Sequence, residues 1–392
     1  MEEVKDIEHE KYKIQKITTN PEMPKEIEKA INENKFIIFI GAGVSRLVGC
    51  ISWNELACRL IEECYNKKDE KEKRLIDYRE RELLLQLNDA KKQITIAKDI
   101  LENDDFYRIM EESLKINENK NNVYEYIKEL NGVCITTNAD KALDKYYEEK
   151  NIKYRDKDFN ANSISKIYLY KIHGTINKKD SLVFTVAQYL ERYSPNEKEN
   201  KNFLNFLERV FSEYTILFVG YGISEFELLD YIVLKSKSLG KKSHYILNGY
   251  FSNEEKILQC DEKYYETLGI KVIPFLKDEL GFNQLTEILK KWSEKISIRR
   301  INSEVVNQME EILENPNLEN IKILRLNLKI FDYKEKFYYK IRNLKNIIFL
   351  TTSNSIHSFF SIKSPILLSH IIPLVKIISL ISFFIFFKFL IL

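Results

Sequence analysis

Residues 36 to 53 read "FIIFIGAGVSRLVGCISW": five apolar residues, then Gly41-Ala42-Gly43, then Ser45, and soon Trp53. A short unbroken apolar run that ends at glycines predicts a strand buried on both faces, running into a tight turn. Gly41 and Gly43 lack the side chains that would hold a phosphate away from backbone N–H groups, and Ser45 adds a hydroxyl at the same edge. That is the chemistry of a nucleotide-binding turn, although the spacing is GAGxS rather than the GxGxxG of dehydrogenases. On this stretch alone, a plain glycine turn explains the residues equally well.

The surrounding chain supplies context. "GVCIT" (132–136), "IYLYKI" (167–172), "TILFVG" (215–220), "HYILN" (244–248) and "IKVIPF" (270–275) are further buried-strand patterns. Between them lie helical patterns: "WNELACRLIEECYNK", "ADKALDKYYEEK", "FLNFLERVFSEY", "SEFELLDYIVLKSKS" and "LTEILKKWSEK". Strands separated by helices predict an α/β fold, a Rossmann-like doubly wound parallel sheet whose ligand sits outside the carboxyl ends of the strands. Residues 69–128 hold no strand pattern and read as a helical insertion over one edge of the site.

Composition sets the bounds. The chain has 392 residues and a formal net charge of +2, with acids and bases both plentiful, so it shows no concentrated basic patch for nucleic acid. Its five cysteines, Cys50, Cys58, Cys64, Cys134 and Cys260, form no CxxC pair, which argues against a zinc ribbon and suits reduced thiols in a cytoplasm. The charged start, "MEEVKDIEHEKYK", carries no secretory signal.

Three later segments follow predicted strands. "CITTNAD" (134–140) places Thr136, Thr137, Asn138 and Asp140 at one carboxyl end. Asp140 also suits a cap on the helix expected at "KALDKYY", and Asn138 suits a tight turn. "YKIHGTI" (170–176) ends a strand in His173-Gly174, and a lone histidine there is often structural. "ILFVGYGISEFELLDYI" (216–232) brings Gly220 and Gly222, then Ser224 and Glu227 in a capping-box spacing. Each segment has a structural explanation taken singly. Together they gather two glycine turns, an Asn/Asp pair and a His-Gly along one sheet edge.

In this order the motifs resemble the sirtuin-like (SIR2-like) NAD-consuming domains of bacterial antiphage defence, including Thoeris-type NAD hydrolase effectors. "GAGVSRLVGCISWNEL", "TTNADKALDKYY", "YKIHG", "QYLERYS" and "LFVGYGISEFELLDYI" carry the resemblance, which spans about residues 20 to 295. It implies NAD as substrate and no metal, with Gly41, Ala42, Gly43 and Ser45 near the phosphates. Thr137, Gly220 and Gly222 complete the implied cofactor-binding set. Asn138 and Asp140 would line the nicotinamide-ribose pocket, and His173 would be the base. The chain lacks the zinc ribbon of deacetylating sirtuins and has "LVGCISW" where they carry Pro-Asp-Phe-Arg, which disfavours deacylation. Within the hydrolase branch, Glu225-Phe226 replaces a common Asp-Pro, and Ala139 a common Tyr.

Such residues suit the reaction. Breaking the nicotinamide–ribose bond develops oxocarbenium character, and the leaving group is already cationic. The protein needs to hold the ribose and remove a proton, work suited to a neutral imidazole. The resulting expectation is a hydrolase releasing nicotinamide and ADP-ribose, held in check by the insertion, by homo-oligomerisation or by an activating partner or phage-derived trigger. The alternative is a non-catalytic module that binds NAD or ADP-ribose.

The chain's end differs from the rest. No Asp or Glu follows Glu335, and "IIPLVKIISLISFFIFFKFLIL" (371–392) matches the roughly 20 apolar residues a membrane helix needs. A buried helix and an out-of-frame end are the competing readings. The expected organisation is a sirtuin-like domain over 1–298, an appendage over 299–365 and a hydrophobic tail over 366–392. The expected location is the bacterial cytoplasm, with the tail a candidate anchor to the inner membrane.

Overall fold

The first stretch quoted forms strand β1, Phe36–Ile40, with all five residues buried. In the computed structural model, which describes residues 17–117, 121–194, 200–222 and 244–314, β1 lies in the middle of a seven-stranded sheet. Strand β2 (Val133–Thr136) pairs with it on one side and β5 (Thr215–Val219) on the other. Beyond β2 come β4 (Leu169–Lys171) and β3 (Ile152–Lys153), and beyond β5 come β6 (His244–Tyr250) and β7 (Ile270–Leu276). Every pairing is parallel. The chain builds outward from β1 through β2 to β3 and β4, then returns to lay β5 on the other flank of β1. The strand order therefore reverses between β1 and β5, the place where doubly wound sheets open a crevice.

Helices cover both faces. They are α1 (Lys25–Asn32), α2 (Ala42–Leu47), α3 (Trp53–Asn66), α4 (Tyr78–Leu85), α5 (Ala90–Ile100), α6 (Asn103–Ser113), α7 (Val123–Glu129), α8 (Val186–Tyr193), α9 (Lys201–Glu213), α10 (Glu255–Thr267) and α11 (Gln284–Glu314). In α9, Phe203, Phe206, Leu207, Val210 and Phe211 recur at helical spacing and are all buried. They meet Ile37, Phe39, Ile216 and Phe218 of β1 and β5 in one core cluster. Burying each such ring or branched side chain stabilises by roughly 1.5–3 kcal/mol, so this stripe fixes α9 to the sheet. A second cluster joins Leu56, Leu60 and Ile61 of α3 to Ile94, Ala97, Phe106 and Met110 of α5 and α6, and takes in Ala139, Ile176, Leu182 and Phe184, so it ties the inserted helices to the loops after β2 and β4. Ser52 starts α3 with a capping box, its hydroxyl accepting from the Glu55 N–H at 3.2 Å.

One expectation is corrected. "ADKALDKYYEEK" does not form an α-helix; it holds two 3₁₀ turns, Asp144–Tyr146 and Glu149–Asn151. The cause is buried Lys171, whose Nζ donates to Asp140 O at 2.5 Å and pairs with the Asp144 carboxylate at 2.8 Å. Those bonds take up the carbonyl an α-helix would need. Asp140 caps the turn instead, its Oδ1 accepting from Ala142 N–H at 2.9 Å. Strand β3, two residues long, carries no period that a sequence pattern can register. The helix expected at "SEFELLDYIVLKSKS" and the tail 366–392 lie outside the described residues.

The chain divides into two units, Met1–Glu294 and Lys295–Leu392. The described part of the second, 295–314, is helical. Among the described residues no helix is long and apolar enough to cross a membrane.

A buried histidine makes stability depend on acid. His244 is fully buried at the start of β6, and its Nδ1 accepts from Ile216 N–H at 3.3 Å. Burial pushes its pKa down from 6.5 to about 4. The folded state thus binds fewer protons than the unfolded chain, and stability is lost as pH falls from 6.5 towards 4. His173 is shifted in the same direction. The His244 share alone amounts to ~3 kcal/mol at the acid end. Urea midpoints are therefore expected to fall steadily below neutral pH; a level midpoint between pH 6.5 and 5 would contradict the assignment.

Candidate functional site

The two glycine turns meet where the strand order reverses. Gly41 N–H donates to Val219 O at 3.0 Å and Gly43 N–H to Gly220 O at 2.8 Å. A Cβ on Gly41 would lie 2.6 Å from Gly220 O, and one on Gly43 would lie 2.8 Å from the same atom. Gly220 itself adopts φ +60, and its Cβ would lie 2.5 Å from Val44 N. The glycines thus let two backbones touch. The Gly41 and Gly43 amides, expected near phosphate, are given to the carbonyls of Val219 in β5 and of Gly220 just after it. Among the described residues, nothing lies within 4 Å of where a Cβ on Gly222 would stand.

Beside this junction, the end of β2 is folded back onto β1. Thr136 Oγ1 donates to Ile40 O at 2.9 Å and accepts from Asn138 N–H at 2.9 Å, which forms the turn. The Asn138 side chain then reaches across: its Nδ2 donates to Gly41 O and to Ser45 Oγ, each at 2.8 Å. Ser45 Oγ donates to Asp140 Oδ2 at 2.5 Å and lies 3.0 Å from Tyr124 OH. Burial, with the Asp140 charge added, holds the Tyr124 phenol well above its usual pKa, so it remains a neutral hydroxyl. Serine, asparagine, aspartate and tyrosine form one buried network.

His173 follows β4. Its turn depends on Gly174, at φ +80, where a Cβ would lie 2.0 Å from Ser181 O. The imidazole is 1% exposed. Its Nε2 lies 2.8 Å from Tyr193 OH and its Nδ1 3.4 Å from Tyr189 OH, both from α8. Burial, then the Arg192 and Lys91 charges, hold its pKa well below 6.5, so the ring is neutral at physiological pH.

A cleft opens at this edge. It is lined by Ala42, Ser45, Thr137, Asn138, Ala139 and Asp140, together with Cys50, Ile51, Ser52, Trp53, Leu56, Leu114 and Phe184. Trp53 and Phe184 stack with centroids 4.9 Å apart. Burial pushes the Cys50 thiol up to about 12, which keeps it protonated and unreactive. Of the residues named from sequence, Ala42, Ser45, Thr137, Asn138 and Asp140 line the cleft. Gly41, Gly43 and Gly220 lie behind it in the turn junction, and the His173 ring packs under α8 rather than on the cleft wall. Sequence reasoning passed over Tyr124, Lys171 and the Trp53–Phe184 pair. Only the placement of "YKIHG" at a strand end hinted at Lys171. Among the described residues, no cluster of His, Cys, Asp and Glu is placed to hold a metal ion.

The comparisons with known proteins fit this geometry. Residues 132–273 match the family model described as SIR2-like domain. The chain is 26% identical over 264 residues to Defense-associated sirtuin 2 of Bacillus subtilis, covering 64% of this chain and 24% of that protein. It is 25% identical over 284 residues to the NAD(+) hydrolase ThsA of Bacillus cereus, covering 69% and 54%. A ThsA from Acinetobacter baumannii is 26% identical over 295 residues, covering 70% and 56%. The chain thus spans about a quarter to a little over half of these relatives' lengths. With a parallel sheet of seven strands and ordered turns along one edge, the chain is similar over residues 132–273 to the SIR2-like domain.

Proposed function

We propose that the chain hydrolyses NAD at the nicotinamide–ribose bond, releasing nicotinamide and ADP-ribose. The observation that carries this reading is the cleft wall, where Ser45, Asn138 and Asp140 converge at the point of strand reversal. Two relatives named as NAD(+) hydrolases support the substrate, and one named as defence-associated supports a role in defence. In this scheme the cleft holds the nicotinamide ribose, Asn138 orients a hydroxyl or the attacking water, and His173, which stands off the cleft lining, takes up the proton through the tyrosine hydroxyls bonded to its ring. The leaving group departs as neutral nicotinamide once the oxocarbenium-like charge moves to the ribose. No step requires a metal. Regulation by oligomerisation, by an activating partner or by a phage-derived trigger follows from the need to spare the cell's own NAD.

One observation favours a second reading. His173 is buried and bonded to two tyrosines, as in a module that binds NAD or ADP-ribose without cleaving it. Incubating the full chain with NAD separates the two. Hydrolysis predicts nicotinamide release that falls at least 100-fold in Asn138→Ala, in the range lost when a group acting in the transition state is removed. Saturable NAD binding with no nicotinamide would select the binding module. In cells, the hydrolase predicts a fall in NAD content on phage challenge that Asn138→Ala prevents.

A further inference from the structure

Ser45 Oγ has one hydrogen and two lone pairs, and it has three partners. These are Asp140 Oδ2 at 2.5 Å, Asn138 Nδ2 at 2.8 Å and Tyr124 OH at 3.0 Å. An amide nitrogen only donates, so Asn138 takes one lone pair. The Asp140 carboxylate takes the serine's hydrogen. The phenol is left to donate into the second lone pair, and its oxygen is also within hydrogen-bond reach of the Asn138 side chain. Tyr124 belongs to α7 and to none of the motifs read from sequence, yet it and Ser45 are only 3% and 4% exposed.

The same counting applies to Asn138. Both hydrogens of its Nδ2 are spent, one on Gly41 O and one on Ser45 Oγ. A backbone carbonyl can only accept, so the amide cannot be turned over without setting oxygen against oxygen. Oδ1 is the polar atom that remains, and Asn138 lines the cleft. We infer that Tyr124 is a positioning residue: through Ser45 and through its own contact with the Asn138 side chain it locks the amide so that the cleft meets an acceptor and not a donor. The partner this selects is an O–H group, from a ribose hydroxyl or a water. Without Tyr124, Ser45 keeps a lone pair unsatisfied in a buried site, and the hydroxyl is free to rotate away from Asn138.

The inference rests on the NAD-cleaving reading for its kinetic consequence, and the test keeps the two apart. Tyr124→Phe keeps the ring and its packing and removes one hydroxyl. In the full chain its kcat for nicotinamide release is expected to fall about tenfold, with KM within about threefold, the loss of one buried hydrogen bond felt in the transition state. The double variant Tyr124→Phe/Asn138→Ala should be no slower than Asn138→Ala alone, since the phenol acts only through the amide. An unchanged kcat in Tyr124→Phe, or losses that multiply in the double variant, would overturn the inference while leaving NAD cleavage intact. If the wild type releases no nicotinamide, it is the cleavage reading that fails. The positioning is then read from hydrogen exchange of the Asn138 side-chain NH₂, assigned by its disappearance in Asn138→Ala. Exchange at least tenfold faster in Tyr124→Phe supports it, and an equal rate overturns it.

Discussion

Gly220→Ala is expected to lower the melting temperature by roughly 10 °C, while Gly222→Ala, two residues on, should leave it within about 2 °C. The contrast comes from geometry. At Gly220 the backbone sits at φ +60, where a side chain costs ~1–2 kcal/mol. The new Cβ would also lie 2.5 Å from Val44 N, 2.8 Å from Val44 Cγ2 and 3.0 Å from Gly43 C. Two of those three atoms are backbone, and they belong to the neighbouring turn of β1, so relief requires the turns to separate. Overlap of this kind adds ~1–3 kcal/mol, and a domain of this size loses ~2–4 °C per kcal/mol. At Gly222 no atom of the described residues lies within 4 Å of the added Cβ. Thermal unfolding of the two variants beside the wild type is the measurement, and equal melting temperatures would refute the close junction of the two turns.

His173→Ala should remove most of the NAD turnover, by about 10²–10⁴-fold, the usual worth of a positioned proton acceptor. The buried ring is neutral because its pKa is held well below 6.5. A base must be unprotonated to act, so kcat/KM of the wild type is expected to stay level through pH 6.5 and to fall only under more acid conditions. An inflection near 6.5 would mean that the titrating group is solvent-exposed and is not this imidazole. The variant also loses a packed ring, so its unfolding must be compared with that of Asn138→Ala. A His173→Ala protein that folds and turns over NAD at the wild-type rate would remove histidine from the mechanism and leave Asn138 in place.

The sheet was legible because its strands are buried on both faces and their apolar runs are unbroken: β1, β2, β4, β5, β6 and β7 all fall within or beside runs visible in the sequence. The pleat of β3 is too short to show a period. The missing helix after β2 is the instructive failure. "KALDKYY" has good helical propensity and a suitable cap, but a lysine from β4, distant in sequence, binds Asp140 O and the Asp144 carboxylate. A tertiary ion pair outweighed a local preference. At the site, the residues that face the cleft by side chain were found, because Ser45, Asn138 and Asp140 announce themselves at strand ends. Tyr124 was not found, because a tyrosine amid "VYEYIKE" looks like any core-facing ring until its hydroxyl is seen on Ser45. The glycines were found for only part of the right reason: a turn that must approach something closely was clear, but the neighbour it approaches is the second glycine turn.

That contact between turns also makes a short mechanical train. Gly220 O takes the hydrogen of Gly43, and, two residues earlier on the same turn, Gly41 O holds the Asn138 amide. A tug on the chain where it leaves β5 therefore reaches the asparagine within two bonds, through parts with no slack to absorb it. Strand β5 behaves like the handle of a lever whose tip is Asn138.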